Sequence, residues 1–457
     1  MNEINSEKKS IRSIVRKTTI IAGWLAVWQL AAIVIDNTIM LAGPIEVLRA
    51  LAVDITKAKF WKAVFNSYWH IMGGFAVGTL MGLLFGYAAS RKKLLAEILK
   101  PLVNVVKSVP VAAFVVLLLI WCGSKNIALL VSFLVVWPSV YLATLEGVQA
   151  EDALMCEVAR VSQMSAIDRF RYITRPALSA PIRASFAVML GMCFKSGVAA
   201  EVIAMTANSI GDRIYSAKIY IDTKELFAWT FVVVMVGYAN EKLVMFALDK
   251  YIKHRFVPKG IRVQNFELHD VSLHNISKSF ERPIITDFNY TFEKGKRYYV
   301  TSPSGVGKTT LFRIISNLET ADGGTMEPGR SMVNITFQED RLVPNLDAIS
   351  NILLTAPERT SKESVRKAAM NILPECDLNK PVSEFSGGMK RRVAVLRALF
   401  MQGEMLLLDE PFAGMDSDTA KSTAQEIMRM QNGRILVISG HEESLPVIED
   451  VITITLG

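Results

Sequence analysis

The sequence predicts two unlike halves: an all-α membrane bundle of about six transmembrane helices, then an α/β domain built around a phosphate-binding loop. Three observations predict it. The apolar residues are unevenly placed. They gather before Leu248 in runs long enough to cross a bilayer, while the chain after Arg262 has the mixed composition of a soluble domain. Lys and Arg residues gather beside those runs. In the second half a strand, a glycine-rich loop and a helix follow one another, and a later apolar strand ends in two carboxylates.

The chain has 457 residues, of which 51% are hydrophobic and 21% charged. Its mean hydropathy is +0.31. The formal charge of +8 does not point to nucleic acid, because the basic residues flank the apolar runs, as membrane topology requires. Cys122, Cys156, Cys193 and Cys376 lie far apart, without metal or disulfide spacing, and read as ordinary thiols. Lys8, Lys9, Arg12, Arg16 and Lys17 precede the first apolar run. That run is too long for a signal-peptide core and lacks a small-residue cleavage site, so it reads as a retained membrane helix.

The predicted spans are residues 19–35, 67–89, 102–121, 127–145, 182–205 and 226–248, each near the length that about 20 residues of helix provide. The third carries proline at its edge and inside (Pro101, Pro110). Gly73, Gly74, Gly78, Gly82 and Gly86 put small residues along the second span, which lets helices approach closely in lipid. Charge sets the orientation. The basic N-terminus, Arg91–Lys93, the arginines between spans four and five, and Lys250, Lys253, His254 and Arg255 all fall on one side, predicted to be cytoplasmic. An even number of spans puts the C-terminal domain there too. The stretch at residues 91–99 reads as a short loop.

After the fourth span come Glu157-Val158-Ala159-Arg160, then Phe170, Arg175-Pro176 and Pro181. This polar, amphipathic stretch ending at a proline reads as a helix made to contact a partner. Lys195 stands near the middle of the fifth span. A charge at that depth faces either a solute pathway or a partner on another helix. Glu201, six residues on, lies on a different face.

In the second half, Thr301-Ser302-Pro303-Ser304-Gly305-Val306-Gly307-Lys308-Thr309-Thr310 follows a strand at 296–300 and opens a helix. Backbone N–H groups there cradle phosphates, Lys308 reaches the β/γ-phosphates and Thr309 ligates Mg²⁺. Ser302 replaces the first glycine of the pattern but leaves Gly305 and Gly307 at the phosphates. Met405-Leu406-Leu407-Leu408-Asp409-Glu410 is the apolar strand ending in two acids. Between them, Ser386-Gly387-Gly388 precedes a helix and offers N–H donors to a phosphate.

These motifs together resemble the ATP-binding-cassette (ABC) transporters, and the resemblance covers nearly the whole chain. Residues 385–392 resemble the ABC signature, with Met389 in the place of the commoner glutamine, as in the nitrate/sulfonate/taurine/bicarbonate branch. The loop around Glu157, Ala159 and Arg160 resembles the EAA coupling loop of binding-protein-dependent importers, with Val158 in place of an alanine and Gln163 in place of a glycine. The resemblance implies that Asp409 holds Mg²⁺, Glu410 polarises the attacking water, Gln338 is a Q-loop glutamine and metal ligand, and His441 is the switch histidine. Gly414-Met415-Asp416 resembles the D-loop, and Phe280 occupies the place of an adenine-stacking aromatic; alternatively it is a core phenylalanine.

The expectation is a permease at 1–255, a linker at 256–266 and an ATPase at 267–457, working as a homodimer with ATP and Mg²⁺ in the cell membrane. Its expected partners are membrane lipid and a separate extracytoplasmic substrate-binding protein, with no nucleic acid. The expected cargo is a small anion. A half-size exporter or a membrane-tethered ATPase without transport is the competing reading.

Overall fold

The computed structural model describes residues 2–254, 256–262, 267–301, 306–329, 332–440 and 448–456. Its contacts divide it into two compact units, Met1–Ala150 with Ala177–His254, and Glu151–Pro176 with Arg255–Gly457. The expected boundary at 255 is therefore crossed by one segment: residues 151–176 group with the C-terminal unit.

The first unit is helical. It contains α1 (Asn2–Ile35), α2 (Pro44–Ile55), α3 (Ala58–Arg91), α4 (Lys93–Ser108), α5 (Val111–Cys122) and α6 (Ile127–Gln149). It continues with most of α9 (Arg175–Ala204), then α10 (Ile210–Ile219) and α11 (Thr223–Lys253). Among the described residues, five helical stretches are long and apolar enough to span a bilayer. The predicted third span, 102–121, is not one straight helix: α4 and α5 meet at 104°. The physical cause is Val109-Pro110, since proline's ring disfavours a helical residue before it. The sixth span exists only if this bent pair counts as one. Residues 91–99, expected as a loop, are helical apart from Lys92.

The glycine series acts as a seam. Gly74, Gly78, Gly82 and Gly86 lie one turn apart on the α3 face that meets α6. A Cβ on Gly82 would come within 2.7 Å of Val140 Cβ, and one on Gly86 within 2.6 Å of Thr144 Cβ. The backbones are thus closer than any side chain allows. Gly73 stands beside the seam, where a Cβ would make ordinary contact. Glu201, on α9, is buried; it accepts from Ser67 Oγ at 2.7 Å and from the Gly211 N–H at 3.1 Å, which fixes the start of α10. Lys195 is exposed on this unit, and no ion pair involving it is found among the described residues.

The second unit is built on a five-stranded parallel sheet in the order β5-β6-β7-β3-β8. Its strands are β3 (Arg297–Thr301), β5 (Val333–Thr336), β6 (Met405–Asp409), β7 (Ile435–Gly440) and β8 (Ile452–Thr455). Met405–Leu408 and Ile435–Val437 are fully buried. That explains why their sequence is continuously apolar rather than alternating. A smaller antiparallel sheet, in the order β2-β1-β4, is formed by β1 (Val271–Ser279), β2 (Pro283–Phe292) and β4 (Gly323–Glu327). Helices α12 (Lys308–Ile315), α13 (Ala348–Leu353), α14 (Lys362–Met370), α15 (Gly387–Phe400) and α16 (Ser417–Met430) accompany the sheets.

The segment from 151 to 176 carries α7 (Ala153–Val161), capped by Asp152, and the short α8 (Ala166–Arg169). It does not end at a proline: Pro176 and Pro181 lie inside α9, whose helical path continues from residue 170 through a π-helical turn. Each of these prolines removes one helical N–H donor from that path. Gln163 follows α7 with φ 52°, the left-handed turn that the glycine of the resembling motif would adopt more cheaply. The expected linker is partly docked. Tyr172 Oη donates to the Phe256 carbonyl at 3.2 Å, and the Ile261 N–H donates to the Ala356 carbonyl at 2.7 Å. Residues 263–266 lie outside the described residues.

Candidate nucleotide site and coupling contact

Thr309, from α12, meets Asp409 at the end of β6 beside Ser439 of β7. Ser302, Pro303, Ser304, Gly305 and His441 lie outside the described residues, as do Arg255 and the side chains of Lys8, Lys9, Arg12, Lys17 and Cys376. Val306 and Gly307 complete the loop before α12, and Gly307 caps that helix at φ 111°, a conformation open to glycine. Lys308, Thr309 and Thr310 form its first turn. Thr309 Oγ1 lies 3.4 Å from Asp409 Oδ2, which brings the two predicted metal ligands together.

Asp409 ends β6 and is buried. Burial pushes its carboxyl above the usual range, while the Ser439 and Thr309 hydroxyls pull it back. A buried carboxylate beside a hydroxyl suits a hard cation such as Mg²⁺, whose charge would relieve the burial cost. Gln338, exposed at the end of the strand–loop path after β5, is available as an oxygen donor. Glu410 has φ 48°, strained for a residue other than glycine. Its N–H donates to the Ser439 carbonyl at 3.3 Å and to Ser439 Oγ at 3.2 Å.

The signature segment presents Ser386 as the N-cap of α15, its hydroxyl accepting from the Met389 N–H. Ser386 and Gly387 are exposed, and a Cβ on Gly387 would meet nothing within 4 Å. Gly388 differs: a Cβ there would come 2.7 Å from the Gly414 carbonyl of the D-loop-like turn. Phe280 is 61% exposed, with the Lys278 ammonium 5.3 Å from its ring centroid, so it is not a core residue.

Sequence reasoning missed the arginines that join these parts. Arg391, buried in α15, donates to the carbonyls of Phe337 and Gln338 (the latter at 3.3 Å) and to the carbonyls of Asp409 and Glu410 (the latter at 2.9 Å). One guanidinium thus ties the Q-loop-like segment to the carboxylate end of β6. Arg391 was visible as a base near the end of the signature-like segment, but so is Arg392, and spacing does not tell which one turns inward. Arg397 is buried in the same helix and donates to the Arg341 carbonyl at 2.5 Å; burial pushes it down to about 10.

The loop around Glu157 meets the same network. Glu157 accepts from Arg313 of α12 at 2.7 and 3.0 Å and from Arg341 at 2.6 Å. The Arg313 hydrogen bond, with that of Arg341, holds its carboxyl below the usual carboxylate range against the opposing effect of burial. Arg341 lies over the Phe337 ring at 3.6 Å. Val158 is buried in one apolar cluster with Phe312, Ile315 and Phe337. The substitution that departs from the importer motif is therefore a packing residue. Ala159 is buried beside Met155 and Ile173, while Arg160 is exposed.

Comparison with known proteins agrees with this geometry. Residues 285–413 match the family model described as ABC transporter, and residues 78–257 match binding-protein-dependent transport system inner membrane component. Aliphatic sulfonates import ATP-binding protein SsuB 1 of Rhodococcus jostii is 35% identical over 185 residues, covering 38% of this chain and 73% of that protein. The chain belongs to the ABC transporter family. It is an ABC ATPase domain fused behind an importer-type membrane domain. Glucose import ATP-binding protein GlcV of Saccharolobus solfataricus is 31% identical over 38% of this ABC chain and 57% of its own length. Spermidine/putrescine import ATP-binding protein PotA of Fusobacterium nucleatum is 32% identical over 35% and 47%. The chain thus spans about half the length of these two relatives.

Proposed function

We propose that this chain is the permease–ATPase subunit of an ATP-driven importer for a small anionic solute, such as nitrate, a sulfonate, taurine or bicarbonate. The observation that carries the reading is the grip of Arg313 and Arg341 on Glu157. Arg313 lies on the helix that follows the phosphate loop, and Arg341 follows Gln338. A segment between two membrane helices is thereby tied to both flanks of the nucleotide site. Movement of those flanks on ATP binding pulls on that segment, which supports transport rather than hydrolysis alone.

In this reading residues 1–255 form the permease, 256–266 the linker and 267–457 the ATPase. Two copies assemble, because Ser386 and Gly387 are exposed and a Cβ on Gly387 would meet nothing within 4 Å. A homodimer lets each copy complete the other's site. The N-terminus and ATPase are cytoplasmic, and an extracytoplasmic binding protein delivers the solute. Mg²⁺, held by Thr309 and Asp409 with Gln338, supplies charge neutralisation at the phosphates. Lys308 binds the β/γ-phosphates, and Phe280 stacks on adenine. Glu410 orients and polarises water, and His441 senses the γ-phosphate. The relatives' names include a sugar, polyamines and sulfonates, so the preference for an anion rests on Lys195, exposed within α9.

The test is reconstitution of the full chain in proteoliposomes with its binding protein. ATP-dependent accumulation of one of these anions is expected. Glu410→Gln should retain ATP binding yet lose hydrolysis and uptake by orders of magnitude. Hydrolysis without uptake of any tested anion would remove the importer assignment. Co-expressing Lys308→Ala with Ser386→Arg tests assembly: single-turnover hydrolysis should reappear in the doubly tagged mixed dimer and in neither parent.

A further inference from the structure

The break between α4 and α5 borders a partly open cavity of about 190 Å³ against α6 and α9. Its lining includes Lys107, Phe114, Val135, Ser139, Met189 and Met192. That volume is the share of roughly six liquid water molecules, so the cavity suits a solute of a few heavy atoms. Its walls are apolar except at Lys107, in the last turn of α4, and at Ser139, a half-buried hydroxyl. No carboxylate lines it, and among the described residues Lys107 forms no ion pair.

The cavity lies deep in the predicted bilayer. Leu134 and Ser139 stand seven and twelve residues from the start of α6, roughly 10 to 18 Å along its axis. Lys195 stands nine residues from the end of α9, roughly 13 Å, and one turn from Met192 in the cavity wall. Lys107 thus lines the cavity at the broken span, and Lys195 stands a turn from its wall. Isolated cations at that depth are costly and mark ion or solute paths. Broken helices near the midplane are where transporters place their solutes.

We propose that this cavity is a subsite for a small oxyanion, with Lys107 as its cation and Ser139 as its hydroxyl donor, and that Lys195 continues the same path. The inference rests on the anion-import reading and adds the place and the residues. Hydrophobic walls strip the solute of water and strengthen its pairing with Lys107, while the small volume rejects bulky solutes.

The experiment uses the full chain in nanodiscs, with Cys122, Cys156, Cys193 and Cys376 replaced by alanine and Val135→Cys as reporter. Anionic 2-sulfonatoethyl and cationic 2-trimethylammonioethyl methanethiosulfonate are compared, with rates followed by mass spectrometry. Val135→Cys should react at least about tenfold faster with the anionic reagent, the scale on which a charged cleft concentrates counter-ions. Nitrate, sulfate or taurine should slow that reaction. Lys107→Met should abolish the preference and Lys107→Arg should keep it. Equal rates, no reaction with either reagent, or a preference unchanged in Lys107→Met would overturn the subsite. The importer reading is scored separately by uptake. Uptake without a thiol preference removes the subsite alone, and a preference without uptake supports the subsite while removing the importer.

Discussion

The Ser439 hydroxyl donates to Asp409 Oδ1 at 2.5 Å, and Ser439 Oγ accepts the Glu410 N–H at 3.2 Å. One residue at the end of β7 therefore holds both acids at the end of β6. Because the hydrogen bond favours the ionised carboxylate, it opposes the upward push of burial on Asp409. Ser439→Ala should raise the Asp409 pKa further, so a higher Mg²⁺ concentration or pH is needed for half-maximal hydrolysis. The cost in folding stability should be about 1–3 kcal/mol, the range for a buried group left unpaired. A magnesium titration at two pH values checks this; an unchanged midpoint would remove Ser439 from the site.

Arg391 joins the backbone on either side of the nucleotide site without touching a predicted catalytic side chain's charged end. Arg391→Lys keeps the charge but loses the fork that reaches both segments. Hydrolysis turnover should fall about tenfold or more, on the scale of 1.4 kcal/mol per decade, while ATP affinity changes little. A purely structural role would lower melting temperature and expression without splitting turnover from affinity.

Glu157→Lys should uncouple the halves: uptake falls at least about tenfold, one decade per 1.4 kcal/mol, while basal hydrolysis is largely retained. Glu157→Gln supplies the pH test. The folded pKa of Glu157 is lowered by Arg313 and Arg341. The stability from pairing is therefore complete above the unfolded carboxylate range and disappears as pH falls through the lower folded value. The melting-temperature gap between wild type and Glu157→Gln should be open at neutral pH and should close in acid. A constant gap would mean that packing, not charge, holds the loop.

Adjacent signature glycines should behave oppositely. Gly387→Ala has free space and a helical position, so it should stabilise the isolated chain by about 0.5–1 kcal/mol. It should still impair hydrolysis if a partner's nucleotide occupies that space. Gly388→Ala meets the Gly414 carbonyl and should destabilise by about 1–3 kcal/mol, the usual cost of overpacking. Thermal melts of the two variants decide it, and equal effects would contradict the observed packing.

The sequence by itself determined the order of the halves, the strand–loop–helix at Lys308 and the acidic end of β6. These are local: apolar run length, glycine spacing and strand ends are written in consecutive residues. It also determined the glycine seam of α3, because a four-residue repeat needs only helical geometry. The tertiary structure decided what depends on partners distant in the chain. Residue type alone did not say that Arg391 turns inward, that Arg313 and Arg341 meet Glu157, or that Val158 enters an apolar cluster with residues of α12 and β5. It also decided that Pro110 bends the third span by 104° rather than merely interrupting it, and that Lys107 borders a cavity. Proline breaks the helix locally, but the broken pair lies against α6 and α9, neighbours that no window of consecutive residues contains.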